Sequence, residues 1–523
     1  MVELIAPASD SHVGASKIVS ELHARRIRPF FARVAKQIFN VRRGWSFRRF
    51  RPVSDLVSPV GEPGKTGMGR FISAPVAVFL GALFLAWPAI YNGFPLIYPD
   101  TTDYINGGRL IATALIRHHP SPYYGLRSTI YSLGILPFHL GVTLWPVVAL
   151  QCLLVSYVLW LVVRSVVSRK PAARFLILML LLSLLSSVSW FASFVMPDIL
   201  GPVLYLCVYL LVFARESLSR LERLALCLIS SWAIASHSSH LLIFASLCFF
   251  LVLLSIRHFN RAQLRVGLEL TAILALAVGA QAALNGILYG RFSQGVSRVP
   301  FVTARLIADG PGRWYLEKHC GEPRWEMCKY VSNISGTSTR FLFDVNGVWA
   351  NASADSQNRI LQQEPSFALA AVRAYPLEQA EKSASNFFSQ LITFDLESLR
   401  PHPLVEIQIP RDLPRTQRQY FEGRQARNQL PLTLFTFIQY GGVVASLLCI
   451  AALVPWLWRS RPARLLGLGL VIAHTVVVNA LVTGVLASVL DRFEGRVIWL
   501  VPLLAALCAF SWQESHAAAS TRA

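Results

Sequence analysis

The chain has 523 residues, 54% of them hydrophobic and 15% charged, with a formal net charge of +21. Apolar residues gathered into long runs exclude a soluble multidomain protein, and runs that are continuous in Leu, Ala and Val rather than alternating exclude a closed β-barrel. The positive residues sit in short clusters between apolar runs, which points to the cytoplasmic bias of a membrane protein facing lipid headgroups and away from nucleic acid.

Residues 1–70 carry ten Arg and three Lys against five acids, with no apolar run ahead of Phe71. The expectation is a basic cytoplasmic tail without a cleavable signal peptide, either disordered or lying on the inner leaflet through Glu21 to Arg51. Phe71 to about Asn92 then forms the first span and carries the chain outward, so that loop 93–144 with Asp100 and Asp103 emerges outside. Trp145 to Val163 returns to Arg164, Arg169, Lys170 and Arg174. The piece from Ser128 to Leu140, cut by Pro137, is too short to cross and reads as an interfacial helix.

Phe175 to Val195 leads out again and Ile199 to Phe213 returns to Arg215, Arg220 and Arg223. That return leg has about 15 apolar residues, roughly 22 Å against a ~30 Å hydrocarbon core, which sinks Asp198 below the membrane surface. Leu224 to Ile256 starts and ends beside inside-type clusters and so must rise and fall, turning near His237 and His240. Gly267 to Leu288 leads out to segment 289–430, whose Ser366 to Leu391 stretch has helical periodicity broken at Pro376. Such a stretch can lie along the membrane and roof a cavity. Pro431 to Trp458, Leu465 to Leu486 and Val497 to Trp512 complete the bundle, and 514–523 is a cytoplasmic tail.

The predicted fold is an all-α integral membrane protein of about ten transmembrane helices in the cell (inner) membrane, with both termini cytoplasmic. It has an N-terminal bundle over 71–288, a mainly helical outer domain over 289–430 and C-terminal spans over 431–513. Six of the eight cysteines fall in apolar spans as small core residues. Cys320 and Cys328 lie in the outer segment, where an oxidising compartment favours a disulfide.

Four groups could carry chemistry. A carboxylate of the Tyr98-Pro-Asp-Thr-Thr-Asp-Tyr104 motif, held at headgroup level, can deprotonate an acceptor hydroxyl; equally, Asp100 or Thr101 can N-cap a helix and Asp103 can serve its positive end. Asp198 is either a functional intramembrane acid or a cap after Pro197. His237 and His240, at i and i+3, can share a helix face, with bundle hydrogen bonding favoured over metal binding. Asp491-Arg-Phe-Glu-Gly-Arg496 is either a solvated turn of mutually paired charges or a source of forked guanidinium donors for phosphate from Arg492 and Arg496, with Arg127, Arg291 and Arg298 as alternatives.

This layout resembles the C-type glycosyltransferase superfamily. Pro99-Asp100-Thr-Thr-Asp103-Tyr104 is similar to its first-loop acidic motif and Ser121-Pro-Tyr-Tyr124 to the segment that follows. Ala371 to Leu391, with its central Tyr-Pro, is similar to the helix before the later spans, and Asp491-Arg-Phe with Arg496 to the basic-aromatic turn before the last. The likeness spans residues 71 to about 513. It implies sugar transfer from a polyprenyl-phosphate carrier to a glycan or lipid acceptor at the outer face. By that likeness Asp100 or Asp103 would be the base, the arginines would steady the departing phosphate and Asp198 would help bind acceptor or ion; Tyr104, Arg127, His237 and His240 join Asp198, Arg492 and Arg496 as candidate substrate-binding residues. Many members place the two acids adjacent or one apart, whereas here they stand three apart, which leaves open both the choice of base and the use of a divalent metal. The competing readings are a non-enzymatic transporter or envelope-assembly protein, and a glycan polymerase or ligase of another fold.

Overall fold

A computed structural model describes residues 73–118, 127–255, 261–289, 299–321, 324–334, 336–344 and 346–520. The basic tail 1–70, the Ser121 to Tyr124 segment, Arg291 and Arg298 lie outside the described residues. Among those described, the protein is helical. In chain order the helices are α1 (Ala74–Asn92), α2 (Pro99–Arg117), α3 (Thr129–His139), α4 (Trp145–Val166), α5 (Pro171–Leu185), α6 (Val188–Ala192), α7 (Leu200–Phe213), α8 (Arg220–Ser236), α9 (Ser238–Ser255) and α10 (Arg261–Tyr289). Segment 289–430 contributes α11 (Phe301–Asp309), α12 (Pro311–His319), α13 (Ser338–Phe343), α14 (Val348–Asn351), α15 (Ala354–Ala374), α16 (Pro376–Ile392), α17 (Pro403–Asp412) and α18 (Gln417–Glu422). The chain then forms α19 (Leu432–Ser460), α20 (Ala463–Leu486), α21 (Asp491–Ile498) and α22 (Leu500–Ser520).

Among the described residues, six helical stretches are long and apolar enough to cross a membrane: α1, α4, residues 263–289 of α10, α19, α20 and the run Asp491–Ser520. Three shorter apolar helices accompany them, over Pro171–Leu185, Pro197–Phe213 and Ser238–Leu254. The chain is a multi-pass membrane protein. Large apolar side chains such as Phe79, Phe249, Phe437 and Leu448 face outward from these helices while the interior holds another apolar set, as expected of helices whose solvent is hydrocarbon.

Several sequence expectations need correction. The stretch from Phe175 to Val195 is not one helix, because it breaks at Ser186 and Ser187 into α5 and the five-residue α6. The break is chemical: Ser186 bonds the Leu182 carbonyl, Ser187 the Gly495 carbonyl and Ser189 the Ser183 carbonyl, so hydroxyls compete with the backbone for helix groups. The first-loop helix begins at Pro99, and its N-cap is Tyr98, not Asp100 or Thr101. The run Asp491 to Arg496 is a buried helix rather than a solvated turn.

Residues 299–375 have a core of their own, where Tyr315, Trp325, Phe341 and Phe367 pack together, while Phe394, Val405, Ile409 and Tyr420 join the core of the bundle. The Cys320–Cys328 disulfide closes a short loop beside it. Pro376 separates α15 from α16 at Tyr375, as the proline's missing N–H requires of a first-turn residue.

Helix α2 lies against α3 at Gly108, where an added Cβ would meet the Ser132 carbonyl oxygen at 2.5 Å. Small residues permit such approach between membrane helices. Gly108→Ala should lower stability by about 1–3 kcal/mol through forced separation. Gly441→Ala, with open space around its Cβ, should be neutral or slightly stabilising. Thermal unfolding of the two variants in detergent tests the contrast, and equal effects would argue against a tight α2–α3 contact.

Candidate functional site

The site starts with how the chain enters α2. Leu96 pairs with Phe194 in an isolated parallel bridge, with Leu96 N–H donating to the Ser193 carbonyl at 3.0 Å and Val195 N–H to the Leu96 carbonyl at 3.0 Å. Gln425, from far along the chain, clamps the same strand: its Oε1 accepts from Ile97 N–H at 3.0 Å and its Nε2 donates to the Ile97 and Leu399 carbonyls. Thr101 Oγ1 accepts the Tyr98 N–H and donates to the Val195 carbonyl. Backbone groups buried in an apolar bundle need such partners, and these ones fix the first turn of α2 with Asp100 pointing inward.

Asp100 pairs closely with Arg127 and lies 3.5 Å from Arg492 Nη1. Arg127 Nε is also 3.9 Å from Asp103. Arg492 lies over the rings of Tyr98, at 4.4 Å, and Phe493, at 5.0 Å, a favourable place for a desolvated cation. Among the described residues, Arg127 Nε, Arg492 Nε and Arg492 Nη1 are buried without a hydrogen bond. Two guanidinium groups therefore flank a carboxylate pair, Arg127 Nε and Arg492 Nη1 making only the longer ion-pair contacts.

The two acids differ in their surroundings. The Asp103 side chain is 40% exposed and that of Asp100 is 9% exposed. Burial pushes the Asp103 carboxyl up to about 6, with Arg127 opposing the rise and Asp100 adding to it. Tyr98 is also pushed up by burial, against the pull of Arg492 and with contributions from Asp100, Asp491 and Asp198.

A second, deeper set of charges adjoins the first. Asp198, in the 3-10 turn at 197–199, faces Arg496 Nη1 at 3.4 Å, and both side chains are fully buried. Arg496 Nη2 donates to Ser239 Oγ at 3.0 Å and Asn479 Oδ1 at 2.9 Å, while Asn479 Nδ2 donates to Glu494 at 2.8 Å. His237 and His240 do not share a helix face. His237 is the extended residue between α8 and α9, and His240 is bonded through Nδ1 to the Ala233 carbonyl at 2.8 Å. Their rings lie 5.2 Å apart, and His237 contacts Ser239, the acceptor of Arg496, at 2.8 Å.

Helix α21 is held in place at its start. Ser398 donates from both its backbone and its hydroxyl to Asp491. The Gln390 side chain accepts from Leu490 N–H and donates to the Leu490 carbonyl, each at 2.9 Å.

Of the residues singled out from sequence, Asp100, Asp103, Arg127 and Arg492 form one connected group, and Asp198 and Arg496 another alongside it. Tyr104 packs edge-on against Tyr131 at 4.8 Å in the core beneath them. Cys320 and Cys328 belong to the separate core of residues 299–375. Among the described residues no group of three or more His, Cys, Asp and Glu is arranged to hold a metal ion. Asn479, Glu494, Ser239, Ser398, Gln390 and Gln425 were not anticipated. Asn479 had a signal, as an amide within the apolar run from Leu465 to Leu486; Gln425 had none. No family model, curated protein or solved structure matches this chain.

The Asp198–Arg496 pair gives a stability test. Removing one partner leaves a buried charge uncompensated, whereas removing both does not. Arg496→Met should cost about 3–5 kcal/mol, and Asp198→Asn combined with Arg496→Met should recover a substantial part of it. Melting in detergent reads both, and a double variant no more stable than the single would refute the pairing.

Proposed function

We propose that the protein is a C-type membrane glycosyltransferase, moving a sugar from a polyprenyl-phosphate carrier to a glycan or lipid acceptor at the extracytoplasmic face. In this reading the nine apolar helices and α8 make ten crossings of the cell membrane, with both termini cytoplasmic and segment 289–430 outside. The observation that carries it is the meeting of Asp100 and Asp103 with Arg127 and Arg492, two guanidinium groups whose forked donors suit phosphate oxygens.

The reaction is a single displacement. An acceptor hydroxyl attacks the anomeric carbon as Asp103 takes its proton, and the bond from that carbon to the carrier phosphate oxygen breaks with its electron pair leaving on the phosphate. Arg127 and Arg492 stabilise the charge that develops there. Asp103 suits the base better than Asp100. It is the more accessible of the two, and a carboxyl at about 6 is a stronger base than an ordinary one while still ionised at neutral pH. Asp100, engaged by two arginines, orients those guanidinium groups. Asp198 and Arg496 support the floor beneath them.

Asp103→Asn should lower transfer by about 10²–10⁴-fold with normal yield of protein. Asp100→Asn should lower it through misplacement of Arg127 and Arg492. The assay is transfer from short-chain polyprenyl-phosphate sugars by the purified protein, joined to a comparison of lipid extracts from deletion and wild-type cells for an accumulated carrier-linked sugar. Undiminished product from both single variants and the double variant would reject the mechanism.

Protonation removes the base, so activity should be held above the Asp103 value of about 6 and fall roughly tenfold per pH unit below it. A rate–pH profile checks this. A profile flat down to pH 4.5 or so would exclude Asp103 as base.

A further inference from the structure

We infer that helix α16 is seated in the lipid of the membrane leaflet adjoining segment 289–430, with Ala384, Phe388 and Ile392 among the acyl chains. In its second half the helix exposes Ala384, Phe388 and Ile392, with Ser385 and Ser389 beside them, while buried amides face the protein. Ala384, Phe388 and Ile392, at i, i+4 and i+8, lie on one exposed stripe, and Phe388 and Ile392 are 63% and 66% exposed. The face turned toward the protein carries amides: Gln379 Nε2 and Asn386 Nδ2 each donate to Asp309 at 2.9 Å, and Gln390 is wholly buried on Leu490. In water this arrangement would be reversed, since apolar residues seek the interior and amides the surface. A hydrocarbon solvent is what an apolar outer face and a hydrogen-bonded polar inner face require.

The stripe joins a surface that already faces lipid. Tyr440 Oη, on the spanning helix α19, donates to the Ile392 carbonyl at 2.7 Å, and its ring stacks on Phe394 at 4.0 Å. Helix α19 exposes Phe437, Val444 and Leu448 along its length. On the other flank α16 packs against α20, close enough at Gly484 that an added Cβ would meet the Asn386 carbonyl at 2.8 Å. Charges on α16 gather toward its first half, at Glu378, Glu381 and Lys382, and all three are exposed. The helix therefore sits with its charged half nearer the headgroups and its Phe388 and Ile392 side nearer the acyl chains. Lipid is favoured over a protein partner because the stripe continues directly into the flank of a membrane span.

The test uses the full chain in proteoliposomes of phosphatidylcholine and phosphatidylglycerol. Cysteine is placed singly at positions 378, 382, 384, 388 and 392 and labelled with a nitroxide, and the unsubstituted chain sets the thiol background. Collision of each label with oxygen, which concentrates in lipid, is compared with collision with a water-soluble nickel complex. The oxygen-to-nickel ratio should be severalfold higher at 384, 388 and 392 than at 378 and 382. A label at 388 that favours the nickel complex, or one shielded from both reagents as at a contact with another protein or a second copy, would overturn the inference. Quenching of a bimane at 388 by lipids brominated on their tails gives a second reading, and its absence would count against lipid seating equally. Neither measurement requires the chain to be a transferase, so its outcome is separate from that of the sugar-transfer assay.

Discussion

Charge inside a low-dielectric bundle has to be paired, and in this protein the partners come from opposite ends of the chain. Asp100 faces Arg492 and Asp198 faces Arg496. An isolated ionised group in such a place would cost several kcal/mol even after relaxation. Docking of α21 against the start of α2 and the 197–199 turn is thereby tied to charge neutralisation. Because Arg492 and Arg496 lie one helical turn apart on α21, a single eight-residue helix closes both pairs at once. The upper pair, with Arg127 and the more exposed Asp103, is open to solvent. The lower pair is sealed.

Amide side chains resolve the second difficulty, that the backbone is broken in several places within an apolar bundle. Gln425 closes the hydrogen bonds of the strand before α2, Gln390 those of Leu490 before α21, and Asn479 bonds the Phe493 carbonyl within α21. Each lets irregular backbone exist where water is scarce, the condition under which membrane proteins tolerate it. A consequence is mechanical. Helix α16, through Gln390, is bonded directly to the residue that precedes Asp491 and Arg492, so the position of a surface helix and the position of a site arginine are linked by one side chain.

The proposed chemistry follows from the asymmetry between two carboxylates three residues apart. On α2 both lie near the first turn, yet Asp100 turns into the arginines and Asp103 remains open at the edge. The same separation that differs from the adjacent acids of many C-type glycosyltransferases permits this division, because residues three apart on a helix are neighbours without being equivalent. One acid orients cations and the other retains a proton affinity suited to general-base work.

Sequence alone determined that this is a helical multi-pass membrane protein, since long apolar runs have few other solutions in water or lipid. It also singled out Asp100, Asp103, Asp198, Arg127, Arg492 and Arg496, because ionisable residues beside or within such runs are costly and so informative. Tertiary structure decided the rest. Periodicity could not show that the serines near 186 would break a helix, that His237 would lie outside one, or that the run from Asp491 would be a buried helix rather than a turn. Nor could it find Gln425 or Gln390, which look like ordinary polar loop or helix residues until the backbone groups they satisfy are in place. Hydrophobic patterning reports how each segment meets its solvent, whereas pairing between distant polar groups depends on which segments become neighbours, and that is settled only when the helices pack.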